Sequence, residues 1–128
     1  MNHGPLVLIV DDEERNRKLA RDVLRYAGFR TLEAATAEDG LALVAEQRPD
    51  VVLMDIRLPG MWGTEAVGIL KGDAATAAIP VVALTASTMK GDRERFLAAG
   101  FDGYLEKPIA IKEFPEQVRG FIAAAAPG

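Results

Sequence analysis

Short apolar runs alternate five times along the chain with segments whose apolar residues recur at the period of a helix. The runs predict strands over residues 6–10, 30–34, 51–55, 80–84 and 101–106. The segments that follow them predict helices over residues 13–27, 37–47, 64–72, 89–98 and 111–123. Two runs, LVLIV and VVLM, are apolar throughout, which is typical of strands buried on both faces. Five strand–helix units in series therefore predict an α/β protein, with helices on both faces of a parallel sheet.

The helical segments carry apolar stripes that we expect to face this sheet. In chain order the expected inward residues are Leu19, Ala20, Val23, Leu24 and Ala27; Leu41, Val44 and Ala45; Ala66, Val67 and Leu70; Met89, Phe96 and Leu97; and Ile111, Phe114, Val118, Phe121 and Ile122. Gly28 is expected to end the first helix in a left-handed conformation, and Thr36 to cap the second. Gly91 weakens the first turn of the fourth helix, and Pro115 fits only near the start of the fifth.

The bulk properties favour one globular domain in a reducing compartment. A chain of 128 residues has the usual size of a single domain, so we expect one domain over residues 1–128 with a core of about 6–123. Cysteine does not occur, which excludes disulfides and thiolate metal sites. The net charge of −4 is unlike that of a nucleic-acid binder. With no recognisable signal peptide or membrane-length apolar run, the expectation is a cytoplasmic protein that binds neither nucleic acid nor membrane.

Polar side chains follow four of the predicted strands. Asp11 and Asp12 come after the first strand, Asp55 ends the third, Thr85 follows the fourth and Lys107 follows the fifth. Ligands of open α/β sheets bind outside the carboxyl ends of the strands. These five side chains are therefore expected to meet on one rim of the sheet.

Three neighbouring carboxylates repel one another, and a hard divalent cation resolves that repulsion. Mg²⁺ prefers oxygen ligands, whereas zinc and copper would have only His3 as a nitrogen ligand here. An acidic rim with one lysine and one threonine suits phosphoryl chemistry. In that chemistry Asp55 attacks phosphorus, Lys107 and Mg²⁺ offset the negative charge, and Thr85 donates a hydrogen bond.

Four motifs carry a resemblance to a known family. IVDDE (9–13), VLMDIRLPGMWG (52–63), ALTAS (83–87) and YLEKPI (104–109) resemble, in this order and spacing, the CheY-like receiver domain of two-component response regulators. The resemblance covers about residues 6–123 and is strongest to stand-alone receivers of the DivK type and to receivers of hybrid kinases. It implies a flavodoxin-like (βα)5 sandwich with a five-stranded parallel sheet in the order 2-1-3-4-5.

The resemblance also implies a role for each matching residue. Asp55 would be the phosphoacceptor, and Mg²⁺ would be bound by Asp11, Asp12, Asp55 and the backbone carbonyl of Arg57. Lys107 and Thr85 would contact the phosphoryl group, Thr85 and Tyr104 would form the switch, and the Lys107–Pro108 peptide bond would be cis. The phosphoryl donor would be a sensor histidine kinase or a histidine phosphotransfer protein, and the output would go to an unknown downstream protein. Such a chain would be a signalling phosphoacceptor rather than a turnover enzyme.

Some positions depart from the family pattern or vary within it. Trp62 stands in a loop where a smaller or acidic residue is frequent, and it is either an incidental exposed aromatic or a contact residue. Arg57 and Ser87 lie at positions that vary in the family and tune the lifetime of the phosphate. The basic residues of the first helix, Arg15, Arg17, Lys18, Arg21 and Arg25, form either a solvated face or a docking surface for the donor.

Three other interpretations compete with a phosphorylated stand-alone receiver. The chain could be a receiver excised from a hybrid histidine kinase, or a binding-only receiver that is never phosphorylated. A phosphatase of the haloacid dehalogenase type also forms an aspartyl-phosphate, but it resembles DxD at the nucleophile, and Arg57 occupies the position of that second acid. The Asp11–Asp12 pair alone could simply cap the following helix.

Overall fold

Five strands and five helices alternate along the chain in the computed structural model, which describes residues 4–86 and 91–125. The strands are β1 (Leu6–Val10), β2 (Arg30–Ala34), β3 (Val51–Asp55), β4 (Val81–Thr85) and β5 (Gly103–Glu106). The helices are α1 (Glu14–Tyr26), α2 (Ala37–Gln47), α3 (Gly63–Gly72), α4 (Asp92–Ala99) and α5 (Phe114–Ala125). No helix within these described ranges is long and apolar enough to cross a bilayer.

All neighbouring strands of the sheet are parallel, in the order β2-β1-β3-β4-β5. This confirms the expected α/β fold and its strand order. The chain order reverses between β1 and β3, which lie side by side, with Val10 opposite Met54. Their carboxyl ends therefore border the crevice where sheets of this kind bind ligands.

Strand alternation divides the core into two layers. Leu8, Val10, Val52, Met54 and Ala83 pack on one face with α2, α3 and α4. Val7, Ile9, Val51, Leu53 and Leu84 pack on the other face with α1 and α5. Because successive strand residues point to opposite faces, all of β1 and the first four residues of β3 can be apolar only when both faces of the sheet are covered.

Four residues expected to face the sheet are exposed instead. Leu19 and Leu97 are 39% and 44% exposed, and Ala45 is also exposed. Each is a direct neighbour of a buried residue (Ala20, Phe96 or Val44), and successive helix positions point about 100° apart, so only one of the two faces the sheet. Ile111, at 58% exposure, lies in the turn that precedes α5 rather than in the helix.

The expected helix ends are largely confirmed. Gly28 has a φ of +98° just after α1, and its N–H donates to the Arg25 carbonyl. The Thr36 hydroxyl accepts the Asp39 N–H at 3.1 Å and caps α2. Gly91, with a φ of +89°, precedes α4 as its cap instead of weakening its first turn. Pro115 is the second residue of α5, where its missing N–H removes no helical hydrogen bond.

Candidate functional site

Three carboxylates from two adjacent strands meet at the rim of the crevice. Asp11 and Asp12 directly follow β1, and Asp55 is the last residue of β3. One oxygen of each carboxylate lies within 4.8 Å of those of the other two. Asp11 is 1% exposed, Asp55 is half-buried and Asp12 is open to solvent. The site is therefore open to solvent at Asp12 and closed at Asp11.

Lys107, which follows β5, reaches across the sheet to the two more buried carboxylates. Its Nζ lies 2.7 Å from Asp55 Oδ2 and 2.8 Å from Asp11 Oδ2. Its backbone N–H donates to the Thr85 carbonyl at 2.7 Å, which ties the lysine to the end of β4. The Lys107–Pro108 peptide bond is cis. The ammonium group is thus held at the acidic rim by the sheet itself.

The electrostatics of this group follow from burial and charge. Burial raises the pKa of the Asp55 carboxyl, and the Lys107 ammonium lowers it only in part, so the pKa stays above its ordinary value. Burial alone would lower the pKa of Lys107, but its contacts with Asp11 and Asp55 outweigh that effect and raise it. Lys107 is therefore a fixed positive charge, and Asp55 is a carboxylate held at some cost in an unfavourable environment.

The donor set of this site fits Mg²⁺. Three carboxylates and one ammonium leave a formal charge of −2, which one divalent cation balances. Octahedral Mg²⁺ has Mg–O distances near 2.1 Å, which puts opposite ligands about 4.2 Å apart, and the three carboxylate oxygens lie within 4.8 Å of one another. Among the described residues the buried Asp11 Oδ2 accepts no hydrogen bond of good geometry, and its charged neighbour is the Lys107 ammonium 2.8 Å away. A cation would satisfy that oxygen.

Asp11 also shapes the loop that carries it. Its Oδ1 accepts the Glu13 N–H at 2.9 Å, while its carbonyl accepts a hydrogen bond from the Arg17 guanidinium at 2.7 Å. The capping residue of α1 is Glu13, and its side chain makes no cap hydrogen bond. Asp11 therefore fixes the turn before the helix with one oxygen and presents the other to the site.

Thr85 and Tyr104 lie on the α4 side of the sheet. Thr85 continues the alternation of Val81 and Ala83, whose side chains pack on the face covered by α2, α3 and α4. The half-buried Tyr104 packs against the same cluster, with its ring centroid 6.0 Å from that of Phe96 in α4. The buried Thr85 thus belongs to the face of the sheet on which Tyr104 and Phe96 pack, and it lines the same cleft as Asp55.

The connection from β3 to α3 is tightly packed against the acidic rim. The Arg57 N–H donates to Asp55 Oδ1 at 3.2 Å, and the Gly63 N–H donates to the Ile56 carbonyl at 2.7 Å. A Cβ built on Gly63 would lie 2.4 Å from the Asp55 carbonyl oxygen. Only glycine allows this close approach of the helix start to the strand end.

The rim opens into a cleft of about 660 Å³. Its lining includes Asp55, Thr85 and Lys107, which sequence analysis assigned to the site, together with Glu13, Trp62, Asp92, Arg95 and Phe96, which it did not. Asp92 is buried and forms an ion pair with Arg95 at 2.6 Å.

Three of the basic residues of α1 interact with side chains of the neighbouring strand β2. Arg17 and Arg21 form ion pairs with Glu33 of β2 at 3.5 and 3.1 Å, and Arg25 donates to the Thr31 hydroxyl at 2.7 Å. Because their side chains already have partners within the chain, these residues fit the interpretation of α1 as a solvated helix face better than that of a docking surface for the donor. His3, Ser87 and Met89 lie outside the described residues.

Comparisons with known proteins place this geometry in context. The profile of the response regulator receiver domain family matches residues 7–119. The polar-differentiation response regulator DivK of Brucella anthropi is 41% identical over 119 residues, which cover 93% of this chain and 97% of that protein.

Solved structures are similar over nearly the whole chain. A putative response regulator from Chloroflexus aurantiacus has a TM-score of 0.88 at 29% identity and covers 94% of this chain and 98% of its own. The receiver domain of the sensor histidine kinase PA1611 from Pseudomonas aeruginosa, which has a magnesium ion coordinated in its active site cleft, has a TM-score of 0.85 at 32% identity. It likewise covers 94% of this chain and 98% of its own.

Proposed function

Because this chain belongs to the response regulator receiver family of two-component signalling, we propose that Asp55 accepts a phosphoryl group from a phosphohistidine. Receiver domains of this family interact with histidine kinases and with downstream proteins. For this chain the donor would be a sensor histidine kinase or a histidine phosphotransfer protein. The observation that carries the proposal is Lys107, whose ammonium lies 2.7 Å from the carboxylate that would be modified.

The transfer is a substitution at phosphorus. A carboxylate oxygen of Asp55 forms a bond to phosphorus, and the bond from phosphorus to the donor's imidazole nitrogen breaks. The electron pair of that bond stays on the nitrogen, and the ring leaves as neutral imidazole because its other nitrogen already carries a proton. Lys107, already beside Asp55 Oδ2, offsets the charge that the phosphoryl oxygens bring. The raised pKa of Lys107 keeps its ammonium protonated throughout.

Mg²⁺ would be held by Asp11, Asp12, Asp55 and the backbone carbonyl of Arg57. When bound, it supplies positive charge next to the transferring phosphoryl group. Two observations support this assignment: the carboxylate oxygens lie close together, and the buried Asp11 Oδ2 accepts no well-oriented hydrogen bond from the described residues. A magnesium ion occupies the active site cleft of the similar PA1611 receiver.

The signal would leave the site through Thr85 and Tyr104. The Thr85 hydroxyl would donate to the new phosphoryl group, and the space it vacates would let the Tyr104 ring move inward. Because Tyr104 already packs near Phe96, such a movement would be felt by α4 and by the surface that α4, β5 and α5 share. A downstream protein would recognise that surface.

Further parts of the proposal concern the chain as a whole. Residues 1–128 would act as one receiver domain in the cytoplasm. Its purpose would be signalling through a single modified residue, not turnover of a substrate. Neither nucleic acid nor membrane would be a partner, in keeping with the net charge of −4.

The test is phosphorylation by a small acyl-phosphate donor. We expect the wild-type protein incubated with acetyl phosphate to gain one alkali-labile phosphoryl group in Mg²⁺, measured by intact mass. The group should be missing in excess chelator, because the three carboxylates then lack the cation that offsets their charge.

Asp55→Asn and Lys107→Ala are the two informative variants. Asp55→Asn should gain no phosphoryl group under any condition, whereas folded Lys107→Ala should gain it more slowly by roughly tenfold or more, because a group that stabilises the transition-state charge is lost. An equally fast, Mg²⁺-independent adduct on Asp55→Asn would contradict the proposal. Steady release of inorganic phosphate without an adduct would favour a hydrolase instead.

A further inference from the structure

Trp62 stands beside the acidic rim and is 53% exposed. Within the described residues it is the one large, exposed apolar side chain that lines the cleft with Asp55, Thr85 and Lys107. It also borders a shallower depression formed with Asp12, Arg57, Leu58 and Pro59. The half-exposed indole therefore forms part of the wall of the cleft that holds Asp55 and is accessible to a donor that enters it.

The backbone fixes this tryptophan relative to Asp55. Gly63, the next residue, donates its N–H to the Ile56 carbonyl at 2.7 Å and lies against the Asp55 carbonyl. The Trp62 carbonyl accepts the N–H groups of Glu65 and Ala66 at 3.0 and 3.1 Å, in the first turn of α3. The peptide bond that follows Trp62 is thus hydrogen-bonded through its N–H to the segment after β3 and through its carbonyl to the first turn of α3, which ties the tryptophan backbone to the end of β3 as a positioning surface requires.

The charges of the cleft suit a ligand with a negative end and a positive, planar end. Arg57 and Lys107 line the cleft as cations that attract a phosphoryl group, and Arg95 lines it in its ion pair with Asp92. Asp12 and Glu13 line the cleft on the side of α1. A phosphohistidine joins a phosphoryl dianion to an imidazole ring that is protonated on its second nitrogen. A positively charged flat ring is attracted to an indole face by stacking and by the cation–π interaction, for which tryptophan is the best side chain.

We propose that Trp62 binds the imidazole ring of the phosphoryl donor and so makes this receiver selective for phosphohistidine over donors without an aromatic ring. The inference rests on the proposed function, since it names a residue that recognises the leaving group of that reaction. The indole contacts the ring while the bond from phosphorus to nitrogen breaks and the bond from phosphorus to the Asp55 oxygen forms. Neutral imidazole then departs past the indole.

The experiment compares three small donors on wild-type protein and Trp62 variants. Phosphoimidazole carries the aromatic leaving group, phosphoramidate has the same phosphorus–nitrogen bond without a ring, and acetyl phosphate has neither. The dependence of the phosphorylation rate on donor concentration is measured by intact mass in Mg²⁺, because Trp62 is the only tryptophan and its variants lose the fluorescence signal.

For Trp62→Ala we expect the second-order rate constant for phosphoimidazole to fall by about threefold to tenfold, as befits an exposed cation–π and stacking contact. The second-order rate constants for acetyl phosphate and phosphoramidate should change by less than about twofold, because neither donor has a ring that the indole could contact. Trp62→Phe should keep most of the preference, and Trp62→Leu should lose it, because leucine is apolar but has no π face.

Tyr26→Ala is the matched control. Tyr26 is 97% exposed at the far end of α1, so removing it changes an exposed aromatic without touching the cleft. Its ratio of phosphoimidazole to acetyl phosphate rates should equal that of the wild type.

Two results would overturn the inference while leaving the proposed function intact. One is an unchanged donor ratio in Trp62→Ala, and the other is full retention of the preference in Trp62→Leu, which would indicate generic apolar shielding. If no donor modifies the wild-type protein, the proposed function itself fails and this inference fails with it.

Discussion

Asp55 lies at the end of a strand whose other four residues are fully buried, and its own environment is correspondingly unfavourable for a charge. Lys107 compensates for part of this, but Asp11 adds a second carboxylate to the same ammonium. The residue that would react is thus a carboxylate whose ionised form is disfavoured by its burial, as its raised pKa reflects. Such an environment favours the binding of a cation beside Asp55 or the covalent modification of its carboxylate.

This environment predicts a pH-dependent stability effect of Asp55→Asn. The pKa of Asp55 is raised in the folded protein above its ordinary value of 3.8. At pH values between the ordinary pKa and the raised pKa of the folded protein, the folded state binds more protons than the unfolded state. The contribution of Asp55 to stability therefore falls as the pH rises through this range. In metal-free buffer Asp55→Asn should therefore melt higher than the wild type at pH 7.

The difference should shrink as the pH falls towards the ordinary carboxyl range, where Asp55 becomes neutral in both states. Thermal unfolding in chelator at a series of pH values measures it, with Asp50→Asn as a control carboxylate remote from the cleft. A variant that is less stable than the wild type at pH 7, or a difference that grows on acidification, would contradict the assigned environment.

At the scale of elements, the connection from β3 to α3 decides the geometry of the site. Arg57 and Gly63 donate their backbone N–H groups to Asp55 Oδ1 and to the Ile56 carbonyl, and Trp62 directly precedes Gly63, which lies against the Asp55 carbonyl. The loop is therefore part of the site and not merely a link between two elements.

Two glycines of α3 give a matched pair of substitutions. Gly63→Ala forces a methyl group to 2.4 Å from the Asp55 carbonyl oxygen and should destabilise the protein by roughly 1–3 kcal/mol, as overpacking does, while slowing phosphorylation. Gly68→Ala adds a methyl group to open space in the same helix and should stabilise by up to about 1 kcal/mol through helix propensity, with the phosphorylation rate unchanged.

Chemical denaturation and the acetyl phosphate reaction measure the two effects together. If Gly63→Ala were as stable and as reactive as Gly68→Ala, the close approach of helix and strand would not control the site.

How far the sequence predicts these elements depends on the kind of pattern that each carries. The bounds of β1 and β3 follow from apolar runs and the start of α2 follows from a threonine cap; the structure confirms these bounds and the bounds predicted for β2. The inward stripes fail at Leu19, Ala45 and Leu97, because a pair of adjacent apolar residues does not tell which of the two faces the sheet. The start of α5 at Phe114 instead of residue 111 depends on a turn that periodicity does not detect.

The candidate site was predictable where it depends on topology. Parallel strands bring their carboxyl ends to one edge, so the meeting of Asp11, Asp55 and Lys107 followed once five strands were recognised. The wall formed by Asp92, Arg95 and Trp62 was not predictable, because it depends on where loops and the first turn of α4 lie in three dimensions. A loop tryptophan gives no periodic signal at all.

At the scale of the whole molecule, the site exists only when the sheet is complete. Lys107 and Asp55 are 52 residues apart in the chain, and Asp11 comes from yet another strand, so no local segment holds the cluster together. The two-layer core fixes the strands, the strands fix the carboxylates and the lysine, and the α4 side of the core receives Thr85 and Tyr104. Fold and chemistry are therefore coupled through one sheet edge.

The measurement that tests this account most directly is the identification of the modified residue. Wild-type protein is treated with a phosphoryl donor in Mg²⁺, reduced with borohydride, which converts an aspartyl-phosphate into homoserine, and mapped by tandem mass spectrometry. The account predicts homoserine at position 55 alone, with Asp11 and Asp12 unchanged. Homoserine at position 11 or 12, or an unmodified Asp55 in a protein that has gained a phosphoryl group, would contradict it.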